Sequence, residues 1–290
     1  PIAVAHPCDF QSLKGALLAR DEGLVDPVLV GPEEKIRQIA QQNDLDLHGC
    51  TLINVPHSHA AAEVAVTLAR EGKVEALMKG SLHTDELMAE VVAKERGLRT
   101  ARRISHVFLM DVPTYPRPLM ITDAAVNVEP SLEEKVDIVQ NAIDLALMLH
   151  IAEPKVAILA AVETINPKMR ATLDAAALCK MADRGQIVGG LLDGPLGFDN
   201  AISVVAARTK GITSAVAGQA DILLVPDIES GNMLAKQLEY LADALSAGIV
   251  LGARVPIVLT SRADSAETRT ASTAVAVVMA NARRRKAAST

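Results

Sequence analysis

The fold class is decided by residues 131–162, which read SLEEKVDIVQNAIDLALMLHIAEPKVAILAAV. Ser131 and Glu134 form a capping-box pattern, in which each side chain satisfies a free backbone N–H at the start of a helix. An apolar stripe at helical spacing follows and predicts a helix over 132–149; its members are Val136, Val139, Ile143 and Leu147. Residues 156–162 are then continuously apolar, as expected for a parallel strand buried on both faces.

The same alternation of short apolar runs and helical periodicity extends along the whole chain. Eleven runs are predicted as strands: 2–5, 27–30, 51–55, 76–78, 105–112, 119–122, 156–162, 187–192, 222–225, 248–252 and 256–259. Regular β-α alternation of this kind predicts an α/β fold with mainly parallel sheets, right-handed crossovers and helices on both faces.

Eleven strands are many for one sheet, so the chain is expected to form two lobes. The cleanest break is the Asn-Val-Glu-Pro segment at 127–130, and a long helix starting near Ala266 is expected to return to the first lobe. The prediction is a first α/β lobe of residues 1–128 plus 262–290, a second α/β lobe of residues 129–261, and an active-site cleft between them.

Composition and charge exclude several classes of partner. Half of the 290 residues are hydrophobic but only 2% are aromatic, so aliphatic side chains must build the core. A formal net charge of −6 gives no electrostatic footprint for nucleic acid or an anionic membrane, and the basic run at 283–286 is interpreted as a solvated tail. No apolar stretch reaches the ~18 residues that span a bilayer. Three cysteines without CxxC spacing, and no signal-peptide pattern, indicate a reducing, cytoplasmic location.

Polar and glycine-rich clusters recur at the carboxyl ends of the predicted strands, which is the edge where open parallel sheets bind ligands. The clusters lie at 6–9, 79–81, 122–123, 163–166, 193–195, 226–227 and 260–262. Each alone is explained as well by ordinary turn and capping chemistry. Seven together favour a ligand site.

Two of these clusters suit an anion. Lys79-Gly80-Ser81 leads through Thr84 into a predicted helix, and so offers an ammonium, a close-approach backbone, hydroxyls and a helix N-terminus. The spacing is not that of a P-loop. The segment 260–262, Thr-Ser-Arg, offers hydroxyls and a guanidinium in the same position. No GxSxG elbow, HExxH motif or GxGxxG fingerprint is present, and the seven histidines form no metal-ligand array.

Six longer stretches resemble the phosphate acetyl/butyryltransferase family over nearly the whole chain. They are LMKGSLHTDEL (77–87), ISHVFLMDVPTYPRPLMITDAAVNVEP (104–130), DIVQNAIDLA (137–146), DGPLGFDNAIS (193–203), ADILLVPDIESGNMLAKQL (220–238) and GIVLGARVPIVLTSRADS (248–265). The segments HPCD, KGSLHTDEL and CKMADRGQI look most like the phosphotransacetylase domain of bifunctional enoyl-CoA hydratase/phosphate acetyltransferases. That resemblance implies a hydratase-like domain upstream of Pro1.

The resemblance implies two α/β lobes of the isocitrate/isopropylmalate dehydrogenase-like type and a homodimer. It also implies the reaction acyl-CoA + phosphate ⇌ acyl phosphate + CoA, with acetyl or a short acyl group such as butyryl. Coenzyme A enters as a substrate, no cofactor is held permanently, and no metal takes part in the chemical step.

Residue roles carried over from the family fall into three groups. Ser261 and Arg262 match the catalytic pair, and Asp264 lies beside them. The phosphate and acyl side is expected to be lined by Lys79, Gly80, Ser81, Thr84, Arg99, Arg103 and Asp123. The CoA side is expected to be bordered by Asp193, Gly194, Pro195, Asp227 and Asn232. A thiolate attacks acyl phosphate in this scheme, and Arg262 and Ser261 stabilise the oxyanion and the departing phosphate.

The general base departs from the family pattern. Acetate-specific relatives carry an Asp seven positions beyond the catalytic Ser, and counting without gaps reaches Thr268 here. Asp264 and Glu267 lie nearby and also read as a capping box for the last helix. Glu267 is interpreted as structural, whereas Asp264 is left open between cap and base, and the acyl preference is left open with it.

Two alternative functions remain at this stage. A metal- and NAD(P)-dependent β-decarboxylating dehydrogenase would need several converging carboxylates. Asp193, Asp199 and Asp227 fit that role only poorly. A non-catalytic CoA-binding domain of a hydratase fusion would bind CoA without releasing thiol, and the intact pair Ser261-Arg262 argues against it.

Overall fold

The computed structural model describes residues 1–261 and 264–288; for residues 287 and 288 it describes the backbone alone. The strands are β1 (Ile2–Ala5), β2 (Pro27–Gly31), β3 (Thr51–Asn54), β4 (Ala76–Lys79), β5 (Ser105–Asp111), β6 (Leu119–Thr122), β7 (Lys155–Leu159), β8 (Leu191–Leu196), β9 (Ile222–Leu224), β10 (Leu245–Leu251) and β11 (Ile257–Val258). The helices are α1 (Phe10–Asp21), α2 (Glu33–Gln42), α3 (Ser58–Arg70), α4 (Thr84–Val91), α5 (Leu132–Met148), α6 (Arg170–Asp183), α7 (Phe198–Ile202), α8 (Val204–Thr209), α9 (Ile228–Leu241) and α10 (Ala266–Ala288).

The chain forms two compact units, Pro1–Arg102 with Ala247–Thr290, and Arg103–Ser246. In the first unit the strands run in the order β3-β2-β1-β4-β11-β10, with parallel pairing except between β10 and β11. In the second unit the order is β5-β6-β9-β7-β8, with parallel pairing except between β5 and β6. The predicted α/β class with mainly parallel strands is confirmed.

The bounds of these units differ from the predicted lobes, 1–128 plus 262–290 and 129–261. Strand β5 pairs with β6, and β6 pairs with β9, so residues 103–128 belong with the second unit. Strand β11 pairs with β4, which keeps residues 247–261 in the first unit.

Strand β8 is the one predicted strand that is displaced. It spans Leu191–Leu196 rather than 187–192, so Asp193, Gly194 and Pro195 lie inside the strand and not after it. The pairing register with β7 shifts between Ala157 and Leu159, opposite Gly194 and Pro195. A strand that pairs on one side only tolerates a proline and a register shift, whereas sequence reading treats Gly-Pro as a strand end.

Small aliphatic residues fill the core, as the composition requires. All four residues of β1 are fully buried, and so is Ala16 of α1. Helix α5 is confirmed with its predicted capping box: the Ser131 hydroxyl accepts from Glu134 N at 3.2 Å, and the Glu134 carboxylate accepts from Ser131 N at 2.9 Å. Across residues 1–261 and 264–288, the structure has no helix whose length and apolar character would suffice to cross a membrane.

Candidate active site

Three neighbouring strands of the first unit end at the same edge. Ala5 of β1 lies opposite Lys79 of β4, and Val258 of β11 lies opposite Met78. Continuing this register places His6 on one side of Gly80 and Thr260 on the other. The predicted clusters at 6–9, 79–81 and 260–262 therefore begin at adjacent strand ends.

Gly80 allows β1 and β4 to end in close contact. Its N–H donates to Ala5 O at 2.9 Å, and the next N–H, from Ser81, donates to His6 O at 2.9 Å. A Cβ on Gly80 would lie 2.4 Å from both carbonyl oxygens, which is too close for any side chain. Glycine is therefore required here, and it brings Ser81 against His6.

Lys79 places a buried positive charge between β4 and β11. Its side chain is 3% exposed, and Nζ donates to Gly80 O at 3.4 Å and to Thr260 O at 3.5 Å. A buried ammonium is costly unless carbonyls or an anion compensate it. Lys79 therefore suits the anion-binding role predicted from sequence.

Arg269 of α10 donates hydrogen bonds to residues at the same strand ends, and the sequence analysis did not predict this role. It is fully buried; Nη1 donates to Thr260 Oγ1 at 2.6 Å and to Lys79 O at 3.4 Å, and Nη2 donates to Ser261 O at 2.8 Å. Within the described residues, Nε has no partner. Gly15 of α1 makes room for it, because a Cβ there would lie 2.7 Å from Arg269 Cδ. The available signal was a charged residue inside the apolar pattern of the last helix.

The predicted catalytic pair is described only in part. Ser261 is exposed and its backbone N–H donates to Asp264 Oδ2 at 2.7 Å, so the side chain is what Ser261 would bring to a substrate. Arg262 lies outside the described residues. Asp264 is buried, and its own N–H donates back to Ser261 O at 3.2 Å. Asp264 thus closes the turn that carries Ser261.

The capping box predicted for Asp264 and Glu267 is wrong, because the helix cap lies one residue later in the chain. Helix α10 begins at Ala266, so Ser265 occupies the cap position, and its hydroxyl accepts from Thr268 N at 3.2 Å. Glu267 is exposed; a hydrogen bond from its own backbone N–H, then one from Ser265, lowers the pKa of its carboxyl. Both observations fit a structural role for Glu267.

Two further predicted phosphate-side residues of the first unit are less central. Thr84 is the first residue of α4 and is half-buried. Arg99 is exposed and its backbone forms an isolated bridge with Ala253. For Thr84 and Arg99, the role in phosphate binding stays a prediction.

In the second unit, Asp123 and Arg103 are joined through Asn127. The Asp123 carboxylate is 2% exposed and accepts four hydrogen bonds: from Ala125 N and Val126 N at 2.9 Å each, from His106 N at 3.1 Å, and from Asn127 Nδ2 at 2.6 Å. Arg103 Nε donates to Asn127 Oδ1 at 2.8 Å, and Arg103 Nη1 lies 2.7 Å from Glu134 Oε1. The buried Asp123 carboxylate therefore holds the loop after β6 together. Arg103 is half-exposed and contacts this loop through Asn127.

A cavity of about 530 Å3 opens in the second unit where β7 and β9 end. Its apolar walls include Leu159, Ala160, Ala161, Met169, Phe198, Val225 and Leu234. Its polar lining comprises Glu129, Lys135, Arg170, Asp227 and Ser230. This volume and mixture are typical of a small-molecule site.

The polar lining is held by ion pairs and a helix cap. Lys135 Nζ lies 2.7 Å from Asp174 Oδ2 in a buried pair, and Arg170 Nε approaches the same oxygen at 3.6 Å. Asp227 caps α9, since its Oδ1 accepts from Ser230 N and Oγ at 2.8 Å each. Fixed groups of this kind can orient a ligand without rearranging.

The other predicted CoA-side residues are not among those that line the cavity. Asp193 Oδ1 accepts from Gly194 N at 2.8 Å, within β8. Gly194 lets β8 approach β7, because a Cβ would lie 2.7 Å from Ile158 O. Asn232 is exposed and donates from Nδ2 to Ala124 O at 3.2 Å. Only Asp227 of the predicted CoA set is brought to the cavity.

Comparison with known proteins identifies close relatives. The family described as "Phosphate acetyl/butaryl transferase" matches residues 57–277. A phosphate acetyltransferase of Rhizobium meliloti is 64% identical over 98% of this chain and 90% of its own length. A phosphate butyryltransferase of Clostridium acetobutylicum is 45% identical over 96% of this chain and 93% of its own. A branched-chain phosphotransacylase from Enterococcus faecalis V583 has a TM-score of 0.84 at 29% identity, covering 96% of this chain and 98% of its own.

Proposed function

The chain belongs to the phosphate acetyl/butyryltransferase family, and on this premise we propose which of its residues carry the reaction. It is a transferase that interconverts acyl-CoA and phosphate with acyl phosphate and CoA. Family membership decides against the dehydrogenase and the non-catalytic alternatives. The proposal concerns the site, the mechanism and the assembly.

The acyl phosphate is proposed to bind at the edge formed by β1, β4 and β11. The observation that carries this proposal is the convergence of a buried ammonium, Lys79, with the Ser261 turn, which Arg269 holds from beneath. The phosphate group carries two negative charges at neutral pH, and fixed cations stabilise it best in a partly dehydrated site. Ser81, at the end of β4, supplies a further hydroxyl.

The chemical step is a thiolate attack on the acyl carbon of the acyl phosphate. The C–S bond forms, an oxyanion develops on the acyl oxygen, and the C–O bond to phosphate then breaks. Ser261 and Lys79 are proposed to stabilise the charge that builds up on these oxygens. Arg262 retains this role as a prediction from the family resemblance.

Coenzyme A is proposed to use the cavity of the second unit. Its apolar walls suit the uncharged pantetheine arm, and Arg170 offers a cation for a phosphate group. Asp227 is the predicted CoA-side residue that lines this cavity. Roles for Asp193, Gly194, Pro195 and Asn232, and for Thr84, Arg99, Arg103 and Asp123, stay predictions.

The test is phosphate-dependent release of free thiol from acetyl-, propionyl- and butyryl-CoA by the purified protein. Lys79→Met and Ser261→Ala should each lower kcat by roughly 100-fold or more, the usual effect of losing one donor to a developing anion. Lys73→Met is the matched control, since Lys73 is exposed and pairs with a surface carboxylate, Glu71, at 2.8 Å. Parental rates in both site variants would refute the site assignment.

The assembly is proposed to be a homodimer formed through the second unit, acting in the cytoplasm where the three free thiols stay reduced. An apolar groove of about 620 Å3 there is lined by Val204, Val205, Leu238 and Ala242 among others. Val205 is 74% exposed and Leu241 is 83% exposed, and a second copy would cover apolar side chains of this kind. Light scattering should give twice the chain mass for the parent and one chain mass for Val205→Glu.

A further inference from the structure

His6 and Ser81 form a hydrogen-bonded pair at the ends of β1 and β4. His6 Nδ1 lies 2.9 Å from Ser81 Oγ, and Ser81 Oγ donates to the backbone carbonyl of His6 at 2.9 Å. A hydroxyl has one proton, and that proton is directed to the carbonyl. With the hydroxyl proton on that carbonyl, Nδ1 donates to Oγ and the lone pair lies on Nε2.

Nε2 is in a position to accept a proton from outside. Among residues 1–261 and 264–288, no group is hydrogen-bonded to it, and the His6 side chain is half-buried rather than enclosed. Burial lowers the pKa of His6, and Lys35 lowers it further, while Glu86 and Asp9 oppose the shift. The imidazole is therefore uncharged and basic at neutral pH.

Hydrogen bonds hold the backbone of His6 in an unusual conformation. His6 has a φ of +55°, a conformation that non-glycine residues adopt at a cost. Its carbonyl accepts from Ser81 N and Ser81 Oγ at 2.9 Å each, and from Cys8 N at 2.8 Å. The strained residue is thus held by three bonds, and Gly80 supplies the close approach that makes two of them possible.

The pair lies beside the proposed acyl phosphate site. Strands β1 and β11 are both hydrogen-bonded to β4, so two strand spacings, about 10 Å, separate the backbones of His6 and Thr260. The imidazole is hydrogen-bonded to Ser81, which follows the strand that lies between them. A thiol bound beside Ser81 would lie near the imidazole.

We propose that His6 is the general base that takes the proton from the CoA thiol, oriented by Ser81; this inference rests on the proposed function. In the acyl-CoA-forming direction, the S–H proton moves to Nε2 and the thiolate attacks the acyl carbon of acyl phosphate. The C–O bond to phosphate breaks, and the phosphate leaves with the proton that His6 returns. The overall balance is acyl phosphate dianion plus CoA thiol to acyl-CoA plus hydrogen phosphate.

Charged groups on three neighbouring elements act on the pKa of His6. Lys35 lies on α2, Glu86 on α4, and Asp9 caps α1. Cys8 does not compete, because burial raises the pKa of its thiol to about 11 and keeps it protonated. Of these groups, His6 is the one whose uncharged ring offers a nitrogen lone pair to a thiol proton.

His6→Asn is the decisive variant. Asparagine tolerates positive φ and its amide can still donate to Ser81 Oγ, yet it cannot take a proton near neutral pH. We expect kcat/KM for CoA to fall by about 100-fold or more. The parental profile should show an acidic limb below the ordinary histidine pKa, and His6→Asn should keep only the thiol limb near ~8.5. His48→Gln, at an exposed histidine of the same unit, is the matched control and should retain both.

Two measurements separate base catalysis from structure. His6→Gly relieves the positive φ and leaves space for a small base, so added imidazole should restore activity in proportion to its concentration. Nitrogen NMR of the parental protein should show the hydrogen on Nδ1 and not on Nε2, a result that needs no variant to fold.

The outcomes are distinct. A His6→Asn enzyme with the parental rate and pH profile, a His6→Gly enzyme that imidazole does not rescue, or an Nε2-protonated His6 would each overturn the proposal. Any of these with a fully active parent leaves the proposed function standing. Absence of phosphate-dependent thiol release from the parent would instead reject the proposed function itself.

Discussion

Arg269 Nη1 donates to Thr260 Oγ1 at 2.6 Å, and this bond joins the last helix to the loop that carries Ser261. The second nitrogen of the same guanidinium, Nη2, donates to Ser261 O at 2.8 Å. A planar fork of this kind fixes two acceptors at once, which an ammonium cannot do. The position of Ser261 therefore depends on a residue eight places further along the chain.

Replacing Arg269 should damage stability and activity together. Arg269→Met removes a donor from the buried Thr260 hydroxyl, at about 1–3 kcal/mol, and one of the two donors to the Ser261 carbonyl. Urea unfolding should show a lower free energy of unfolding, and kcat should fall at temperatures where the variant is folded. Arg37→Met, at an exposed Arg37–Glu33 pair of 2.7 Å, should change stability by no more than about 0.5 kcal/mol. Equal stability and kcat in the two variants would contradict this role for Arg269.

Gly80→Ala should separate the ends of β1 and β4. The added Cβ meets two backbone oxygens at 2.4 Å, and backbone cannot move aside as a flexible side chain does. We expect a loss of kcat/KM of about 100-fold, since misplacing a reacting group by an ångström has effects of that size. Gly72→Ala is the control: its φ is +72° and nothing lies within 4 Å of the new Cβ, so about 1 kcal/mol of stability should go while the rate stays.

Asp264 is expected to act through its hydrogen bond to Ser261 and not as a base. Asp264→Asn keeps an oxygen that accepts from Ser261 N, so activity should stay within a few-fold of the parent with an unchanged pH profile. Asp264→Ala removes the acceptor, and its kcat should fall by about tenfold or more, given the roughly 1–3 kcal/mol that an unpaired donor costs. A large loss in Asp264→Asn together with a missing acidic limb would transfer the base role from His6 to Asp264.

The strands were predictable from sequence because continuous apolar runs are a strong signal, and helix α5 was predictable because Ser131 and Glu134 mark its start. Strand β8 was displaced because Gly194 and Pro195 signal a loop, and only an edge position makes them acceptable within a strand. The bounds of the two compact units differ from the predicted lobe bounds, since antiparallel hairpins contain no linker-like composition.

The strand-end clusters include Lys79, Ser81 and Ser261 of the proposed site, because all three follow predicted strands. The residues that position these side chains could not be predicted from strand-end clusters. Arg269 lies in a helix where charge usually means solvent, yet it is fully buried because Gly15 leaves it a space. The pairing of His6 with Ser81 spans 75 positions and depends on sheet order, which no local pattern contains.

The buried pair of Lys135 and Asp174 should be sensitive to the loss of one partner. Lys135→Met leaves a carboxylate that Arg170 reaches only at 3.6 Å, so thermal unfolding should show a loss of about 3–5 kcal/mol. Adding Asp174→Leu should recover most of it, because a paired substitution removes the stranded charge. Lys180→Met, at the exposed Lys180–Asp183 pair of 2.7 Å, should cost about 0–1 kcal/mol. A double variant no better than Lys135→Met would contradict this interpretation.

The lowered pKa of His6 also predicts how stability depends on pH. The native state holds this proton less tightly than the unfolded chain, so stability is present above the ordinary histidine pKa of about 6.5 and is lost as pH falls below it. Urea unfolding between pH 7 and pH 5 should give a declining free energy in the parent. His6→Asn should flatten part of that slope, and His48→Gln should leave it unchanged.

Strand β11 and helix α10 come last in the chain, yet they complete a sheet whose other parallel strands lie within the first hundred residues. During synthesis, the side of β4 that will receive β11 must wait with its backbone groups unpaired until residues beyond 257 leave the ribosome. An unpaired strand edge invites association with other chains. The growing polypeptide should therefore depend on protection by chaperones until β11 has emerged and paired with β4.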